Sequence, residues 1–237
     1  MLRPFFGYYG GKWRDAPRYP PPRFETLIEP FAGSAGYSVR HYARKVRLYD
    51  VDASVVAAWR WLIGASAEEV MALPVEVEDA DALGLGPGPR AVVGYWLNRA
   101  CPTPKRTPSA WMRSGLKPGC FWGVSARARI AAQVDRIRHW TIEQKSYDDL
   151  ENEEATWFVD PPYSGPAGRH YRHDRIDYPT LAAWCRERRG QVIACEGGSA
   201  DWLPFRTLHR ARTTRHERKV ELVWSRGSAQ TDLFGGS

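Results

Sequence analysis

Cysteine and methionine are scarce in this chain, at four and three residues. The thiols, Cys101, Cys120, Cys185 and Cys195, show neither CxxC pairing nor the density of a secreted disulfide scaffold, so a reducing, cytoplasmic setting is expected. Long apolar runs are also missing. None approaches the ~18 residues that would suggest a membrane span, and mean hydropathy is −0.51. Met1-Leu2-Arg3-Pro4 has no basic flank leading into an apolar stretch, so no secretory signal is expected. Acidic residues are the minority, 27 against 34 Lys and Arg, leaving a net charge of +7 and a pI near 9.4. That balance suits a polyanionic partner, although charge alone is shared by many soluble proteins. What the chain does have is 43% hydrophobic and 13% aromatic residues over 237 positions. This excludes disordered and fibrous classes, and is enough for one generous domain or a core domain with a smaller insert.

Periodicity alternates between strands and helices. Thr26 to Phe31 reads as a short strand running into the small-residue turn Ala32-Gly33-Ser34-Ala35-Gly36, with a helix expected from there through Ala43. Val46 to Asp50 reads as a second strand. Asp52 is placed to cap a helix carrying Val55, Val56, Trp59, Leu62 and Ile63, ended by Gly64, and Ser66-Ala67-Glu68-Glu69 is a capping box. Residues 84–89, rich in Gly and Pro, read as punctuation. Thr141 to Gln144, Ala155 to Asp160 and Gln191 to Cys195 are strand-like. Asp177 to Arg189 is helical, with Pro179 in its first turn and Gly190 past its end. Phe205 to Arg210 and Lys219 to Trp224 look like a closing antiparallel pair. The expected fold is α/β, a doubly wound and mostly parallel sheet covered on both faces.

Between residues 76 and 140 the character changes. From Arg99 to His139 there are nine Lys or Arg against one acid, Asp135, with Trp111, Phe121 and Trp122 interleaved. Ile130, Val134 and Ile137 mark one apolar helical face, while Arg127, Arg129, Arg136 and Arg138 point elsewhere. This segment reads as an inserted, mostly helical basic subdomain. It would interrupt a discontinuous domain made of 1–75 and 141–224, and 225–237 would be a flexible tail.

Four places carry chemistry. Gly33-Ser34-Ala35-Gly36 lets backbone N–H groups approach a ligand, although a plain strand–helix connection explains it equally. Asp50, at a strand end, can accept both hydroxyls of a ribose, or serve as a cap. Asp160-Pro161-Pro162-Tyr163 follows a hydrophobic strand; the carboxylate and the Pro161 carbonyl can both accept from one exocyclic amine, and the Tyr163 ring offers a stacking surface. Tyr8-Tyr9-Gly10-Gly11-Lys12 is either a ligand-binding segment or a flexible lead-in with a solvated lysine. An exposed Lys12 would stay protonated and is a poor general base. His170 and His173 have metal-like spacing, but no acid or cysteine completes a site, and no metal is expected.

Taken in this order, the motifs resemble the DNA adenine-N6 methyltransferases of the Dam type. Tyr-Gly-Gly-Lys is similar to that family's N-terminal cofactor motif, Glu29-Pro30-Phe31-Ala32-Gly33-Ser34 to its Glu-Pro-Phe-x-Gly motif, and Asp160 to Tyr163 to its catalytic tetrapeptide. The resemblance runs from Phe5 to about Glu221, and residues 76–140 match the family's target-recognition insert by position only. It implies a Rossmann-like methyltransferase fold and S-adenosylmethionine as cofactor, held by Tyr8, Gly10, Gly11, Lys12, Glu29, Phe31, Gly33, Asp50 and Asp160. In Ser146-Tyr147-Asp148-Asp149 after the third strand, either acid, Asp148 first, can accept from the amino group of the cofactor's adenine, or both are solvated loop acids. The resemblance further implies catalysis by Asp160, Pro161, Pro162 and Tyr163 on an adenine flipped out of duplex DNA. The family usually has Gly-x-Gly where this chain has Gly33-Ser34-Ala35, and an alanine fits there only at negative φ.

DNA contacts are expected from Arg106, Trp111, Arg113 and Lys117, beside Trp122, and from Arg169 and His170 in the loop after the tetrapeptide. A solvated face around a small aromatic core is the other reading of the basic segment. In the tail, Gln230, Leu233 and Phe234 resemble the short peptide by which bacterial replication proteins dock on the sliding clamp, or they simply pack on the domain. The compact size suits a phage-borne or orphan enzyme, or one partner of a restriction-modification pair, acting as a monomer or weak dimer. Two alternatives remain open: an amino-methyltransferase acting on cytosine N4 or an RNA base, and a DNA-binding protein that has lost catalysis.

Overall fold

The computed structural model describes residues 1–98, 101–115, 119–166, 168–212 and 218–227. Lys117 and the tail residues Gln230, Leu233 and Phe234 lie outside them. Seven strands form one sheet: β1 (Thr26–Glu29), β2 (Lys45–Asp50), β3 (Thr141–Gln144), β4 (Ala155–Val159), β5 (Gly190–Gly197), β6 (Arg206–Arg212) and β7 (Arg218–Arg226). Their order across the sheet is β3-β2-β1-β4-β5-β7-β6. The first five are parallel, and β7 and β6 close the edge as an antiparallel pair.

Alternate side chains of the central strands enter two different cores. Leu27, Phe158, Ile193 and Cys195 face one layer, while Ile28, Trp157, Val159, Val192 and Ala194 face the other. A period of two with both faces apolar is what a covered parallel sheet requires. The first layer holds α1 (Gly36–Arg40) and α2 (Ala53–Gly64) with the N-terminal Phe5 and Phe6; the second holds α7 (Tyr178–Glu187). Asp52 caps α2 by accepting from Ser54 N–H at 2.7 Å, and Ser66 with Glu69 forms the expected capping box on α3 (Ala67–Met71). Asp177 caps α7, with a proline in its first turn.

Three local expectations are corrected. The helix after the small-residue turn stops at Arg40 instead of Ala43, because the chain must turn through residues 41–44 to start β2. The stretch at 84–89 is not all punctuation: Pro87 begins α4 (Pro87–Trp96), where the missing N–H of a proline at a helix start has no partner to lose. Ile130, Val134 and Ile137 are all buried, but they lie on two pieces, α6 (Val124–Ala131) and a 3-10 turn at Val134–Ile137.

Residues 76–140 contribute α4, α5 (Ala110–Arg113) and α6. Helix α4 packs along α2, and α6 packs on α3. Val92, Val93, Tyr95, Trp96, Ile130 and Ile137 share a single core cluster with Phe5, Phe6, Trp59 and Leu62. Much of the segment's positive charge is used internally. Arg138 donates to the carbonyls of Ile63, Gly64 and Ala65, capping the end of α2, and pairs with Asp135 at 2.9 Å. Arg127 donates to Leu73 O, and Arg136 lies over the Tyr42 ring. Among the described residues no helix is long and apolar enough to cross a membrane.

Candidate functional site

Strand β1 leads through α1 to β2 on one side, whereas β4 leads through α7 to β5 on the other. The crevice beyond their carboxyl ends is therefore a topological switch point, the place where open α/β sheets bind ligands. Glu29 ends β1, Asp50 ends β2, and Asp160 follows β4. A cavity of about 420 Å³ opens there, within the usual range for small-ligand sites. All ten residues expected to hold the cofactor line it: Tyr8, Gly10, Gly11, Lys12, Glu29, Phe31, Gly33, Asp50, Asp148 and Asp160. Pro162 lines it as well, while Pro161 is buried and Tyr163 half-buried beside it.

The turn after β1 is built differently from the expectation. Gly33 has φ +44°, and its N–H donates to Asp50 Oδ2 at 3.0 Å. A Cβ there would stand 2.9 Å from the Tyr8 ring. Ala35, expected at negative φ, instead adopts φ +47° and is fully buried. This conformation costs about 1–2 kcal/mol for an alanine. It is held by Ala35 N–H donating to Ala32 O at 2.6 Å and by Val39 N–H donating to Ala35 O at 2.9 Å. The position that tolerates no side chain is the next one. A Cβ on Gly36 would lie 2.4 Å from Trp13 N and 2.8 Å from Lys12 N, so only glycine lets the Tyr8–Lys12 segment lie against α1.

Lys12 is buried, not exposed as the sequence suggested, with 4% of its surface accessible. Its Nζ lies 2.8 Å from Asp160 Oδ1 and 3.8 Å from Glu221 Oε1, donates to Gly10 O at 2.7 Å, and sits 4.8 Å from the centre of the Tyr163 ring. Burial disfavours the ammonium, but the charges of Asp160 and then Glu221 outweigh it and hold its pKa above the ordinary lysine value. Lys12 is thus a fixed cation, and the conclusion that it is no general base stands on a different cause. Glu221, on β7, also accepts from Tyr19 Oη at 2.8 Å and Tyr163 Oη at 2.5 Å. The tetrapeptide tyrosine is consequently tied by its hydroxyl to β7, the strand between β5 and the edge strand β6. Sequence reasoning missed Glu221 and Tyr19, which lie 202 positions apart and carry no motif.

Two further carboxyls line the cavity in unusual states. Burial pushes Glu29 up to about 8, against the lowering effect of its hydrogen bonds with Ser38, whose N–H donates to Oε1 at 2.7 Å. Burial likewise raises Asp50 to about 6, opposed by N–H donors from Asp52 at 2.9 Å and Gly33. Each Asp50 oxygen already accepts one backbone N–H and retains a second lone pair for a ligand hydroxyl. Part of the cavity wall is aromatic: the Phe31 and Tyr147 ring centres lie 5.4 Å apart, and Asp148 follows Tyr147 in the same lining. The loop after the tetrapeptide closes another side. Tyr171 Oη donates to Tyr9 O at 3.0 Å, and Arg172 reaches Asp52 at 4.0 Å. His173 lines the same cavity. Tyr147 and Tyr171 were not singled out in the sequence; their neighbours Asp148 and His170 were the only signal.

The residues expected to meet DNA are scattered. Arg106 is bonded through Nε and Nη2 to the carboxylate of Asp79, so its charge is answered within the chain. Trp122 is buried and donates to Pro74 O, a structural role, while Trp111 is 42% exposed and packs edge-on against Phe121. Arg113 is exposed on α5, and Arg169 and His170 are exposed in the loop, His170 edge-on to Tyr9. None of these lines the cavity at the strand ends. Among the described residues, no group of three His, Cys, Asp or Glu side chains is arranged to hold a metal.

Neither a protein-family model nor a curated protein matches this chain.

Two substitutions test this construction. Gly36→Ala forces the Lys12 backbone away from α1 and is expected to cost about 1–3 kcal/mol in urea unfolding, the range for overpacking. Lys12→Met leaves Asp160 and Glu221 facing one another without their cation, and about 3–5 kcal/mol should be lost near pH 7. Because the stranded carboxylates can take up protons, that deficit should shrink as the pH is lowered toward about 5. A deficit that does not vary with pH would mean the loss is one of packing.

Proposed function

We propose that this protein is an S-adenosylmethionine-dependent DNA adenine-N6 methyltransferase. The observation that carries the reading is one junction. The acid-Pro-Pro-Tyr turn at the end of β4, the Lys12 ammonium 2.8 Å from Asp160, and the carboxyls of Glu29 and Asp50 all meet at one cavity. Its order is that of the Dam-type motifs. The sheet is compatible with a Rossmann-like methyltransferase fold, and residues 76–140 occupy the place of a target-recognition insert.

The electrostatics of the cavity support a cationic ligand. Six carboxyl residues, Glu29, Asp50, Asp52, Asp148, Asp160 and Asp177, line it against Lys12, Arg172 and Arg175; Lys12 is committed to Asp160 and Glu221, and Arg172 lies 4.0 Å from Asp52. S-adenosylmethionine supplies an electrophilic methyl group on a positively charged sulfur. Asp50 would hold the ribose hydroxyls, the contacting Phe31 and Tyr147 rings would form one wall beside the adenine ring with Asp148 on its amino group, and Glu29 with the Gly33 turn would surround the methionine portion.

On the acceptor side, Asp160 and the Pro161 carbonyl would accept hydrogen bonds from the two N–H groups of the target amine. This favours a pyramidal nitrogen, whose lone pair is then available for attack on the methyl carbon as the sulfur–methyl bond breaks. Positive charge developing on that nitrogen is stabilised by the Asp160 carboxylate, which Lys12 and the Tyr163–Glu221 bond hold in place. The nitrogen's extra proton then leaves to solvent. Adenine within a duplex cannot enter such a pocket and has to be extruded, with Tyr163 beside it.

Asp160→Ala is expected to reduce methyl transfer about a thousandfold, and, because Lys12 keeps Glu221 as a partner, the variant should be destabilised but still folded at the assay temperature. The check is mass spectrometry of nucleosides from DNA incubated with each protein. N6-methyladenine from the unaltered protein supports the reading, whereas N4-methylcytosine, a modified RNA base, or undiminished transfer by the variant would overturn it.

A second expectation comes from protonation. Folded Glu29 and Asp50 hold protons more tightly than the unfolded chain, so these groups make the ligand-free protein less stable as pH rises from about 4 through their folded values of about 6 and about 8. A bound sulfonium favours their ionised forms. The preference for S-adenosylmethionine over its demethylated product, which lacks that charge, should therefore grow between about pH 5.5 and 8. Isothermal calorimetry with both ligands measures the ratio, and a ratio independent of pH would remove the two carboxyls from the sulfonium's surroundings.

A further inference from the structure

The Tyr8–Lys12 segment has a second side. Behind it lies another cavity, of about 530 Å³, which shares Tyr8, Gly10, Gly11, Lys12 and Ser34 with the first. The two cavities meet at Lys12, whose Nζ is 2.8 Å from Asp160. The outer wall of this second cavity is cationic. It presents Arg3, Arg14 and Arg129, backed by indoles: Arg3 lies 5.2 Å from the centre of the Trp13 ring, and Arg129 lies 5.0 Å from that of Trp96.

These three guanidinium groups, two from the N-terminal segment and one from α6, differ from most of the remaining described arginines of the basic segment. Arg106, Arg127, Arg136 and Arg138 are each spent on a carboxylate, a carbonyl or a tyrosine of the chain. Among the described residues, no carboxylate lies within ion-pair distance of Arg3, Arg14 or Arg129, and the buried Nε of Arg129 has no hydrogen-bond partner. The one acid on the wall, Asp15, is engaged by His209 at 2.8 Å and Arg18 at 3.3 Å. Burial, and then the charge of Arg3, both push the Arg129 pKa down, which is the electrostatic mark of positive charge gathered without an answering anion. The aromatic faces are covered by the guanidiniums, so this cavity is suited to a compact anion and not to a stacked base.

We propose that Arg3 and Arg129 form a phosphate-binding site that grips the backbone of the nucleic-acid strand delivering its base to Asp160. The choice of a nucleic-acid backbone rests on the methyltransferase reading of the adjoining cavity. Its physical basis is the shared wall: a nucleotide with its base at Asp160 carries its flanking phosphates past the Tyr8–Lys12 segment, where unanswered positive charge waits. Neither arginine was among the residues the sequence pointed to for DNA.

The test measures binding of a fluorescein-labelled DNA duplex by anisotropy, without methyl donor, at several KCl concentrations. The proteins compared are the unaltered chain, Arg3→Glu, whose side chain is exposed so that folding is not at issue, and Arg3→Gln/Arg129→Gln. The double variant is expected to bind at least tenfold more weakly, with the slope of log affinity against log salt reduced by about 1.8 for two lost phosphate contacts. Arg3→Glu should weaken binding in the same direction. Calorimetry with the demethylated cofactor should show no change in either variant, reporting that the neighbouring cavity is intact.

A second arm replaces part of the KCl with inorganic phosphate at constant ionic strength and follows thermal unfolding. Stabilisation of the unaltered protein but not of the double variant, together with the loss of DNA affinity, supports the site. Stabilisation by phosphate with unchanged DNA binding would assign it to a free anion and overturn the backbone proposal, and no effect in either arm would overturn the site itself. If DNA binding falls as expected but no methylated base is ever formed, the site stands and the methyltransferase reading fails. Methylation with an unaltered salt slope is the reverse case.

Discussion

A single ammonium group held between two carboxylates, away from water, organises this molecule. Lys12 comes from the N-terminal segment, Asp160 from the end of β4, and Glu221 from the last strand, so one charge cluster joins the start, middle and end of the chain. Removing any one partner would leave a buried charge uncompensated, which is why the three positions are mutually dependent. Tyr19 and Tyr163 complete the cluster by donating to Glu221. The arrangement requires the Tyr8–Lys12 backbone to lie directly on α1, and that closeness is permitted only by the absence of a side chain at Gly36.

The same cluster leaves the cavity at the strand ends richer in carboxyl groups than in uncommitted cations. With Lys12 committed, the remaining ionisable groups on that side are mainly acids in a poorly solvated setting, and two of them hold their protons to unusually high pH. On the other side of the Tyr8–Lys12 segment the balance is reversed, with arginines that rest on indole rings and have no carboxylate partner among the described residues. One short segment of chain thus separates a compartment suited to a cation from one suited to an anion. Under the proposed function these would be the methyl donor and the phosphate backbone of its acceptor, brought together at Asp160.

Positive charge in the sequence proved a coarse guide to where such a backbone would lie. The stretch between Arg99 and His139 holds nine basic residues, yet Arg127, Arg136 and Arg138 stabilise carbonyls or rings inside the fold, and Arg106 is answered by Asp79. Whether an arginine is available to a ligand depends on carbonyl and carboxylate groups contributed by other elements. A run of charge in sequence does not report those neighbours.

The alternation of short apolar strands with amphipathic helices, the Asp52 and Ser66 caps, the helix beginning near Asp177, and the acids at the ends of β1, β2 and β4 were all legible in the sequence. These depend on residue type and on spacing within one element, which a linear pattern preserves. The positive φ of Ala35 was not legible, because it is imposed by hydrogen bonds within the turn and by packing around it. Nor was the buried state of Lys12, which the sequence allows to be solvated and only the crossing of α1 excludes from water. Glu221 lies in an ordinary strand, and its importance arises solely from contacts with residues up to 209 positions away. Local chemistry was therefore written in the chain, whereas the pairing of charges was decided by the sheet order that brings distant strands side by side.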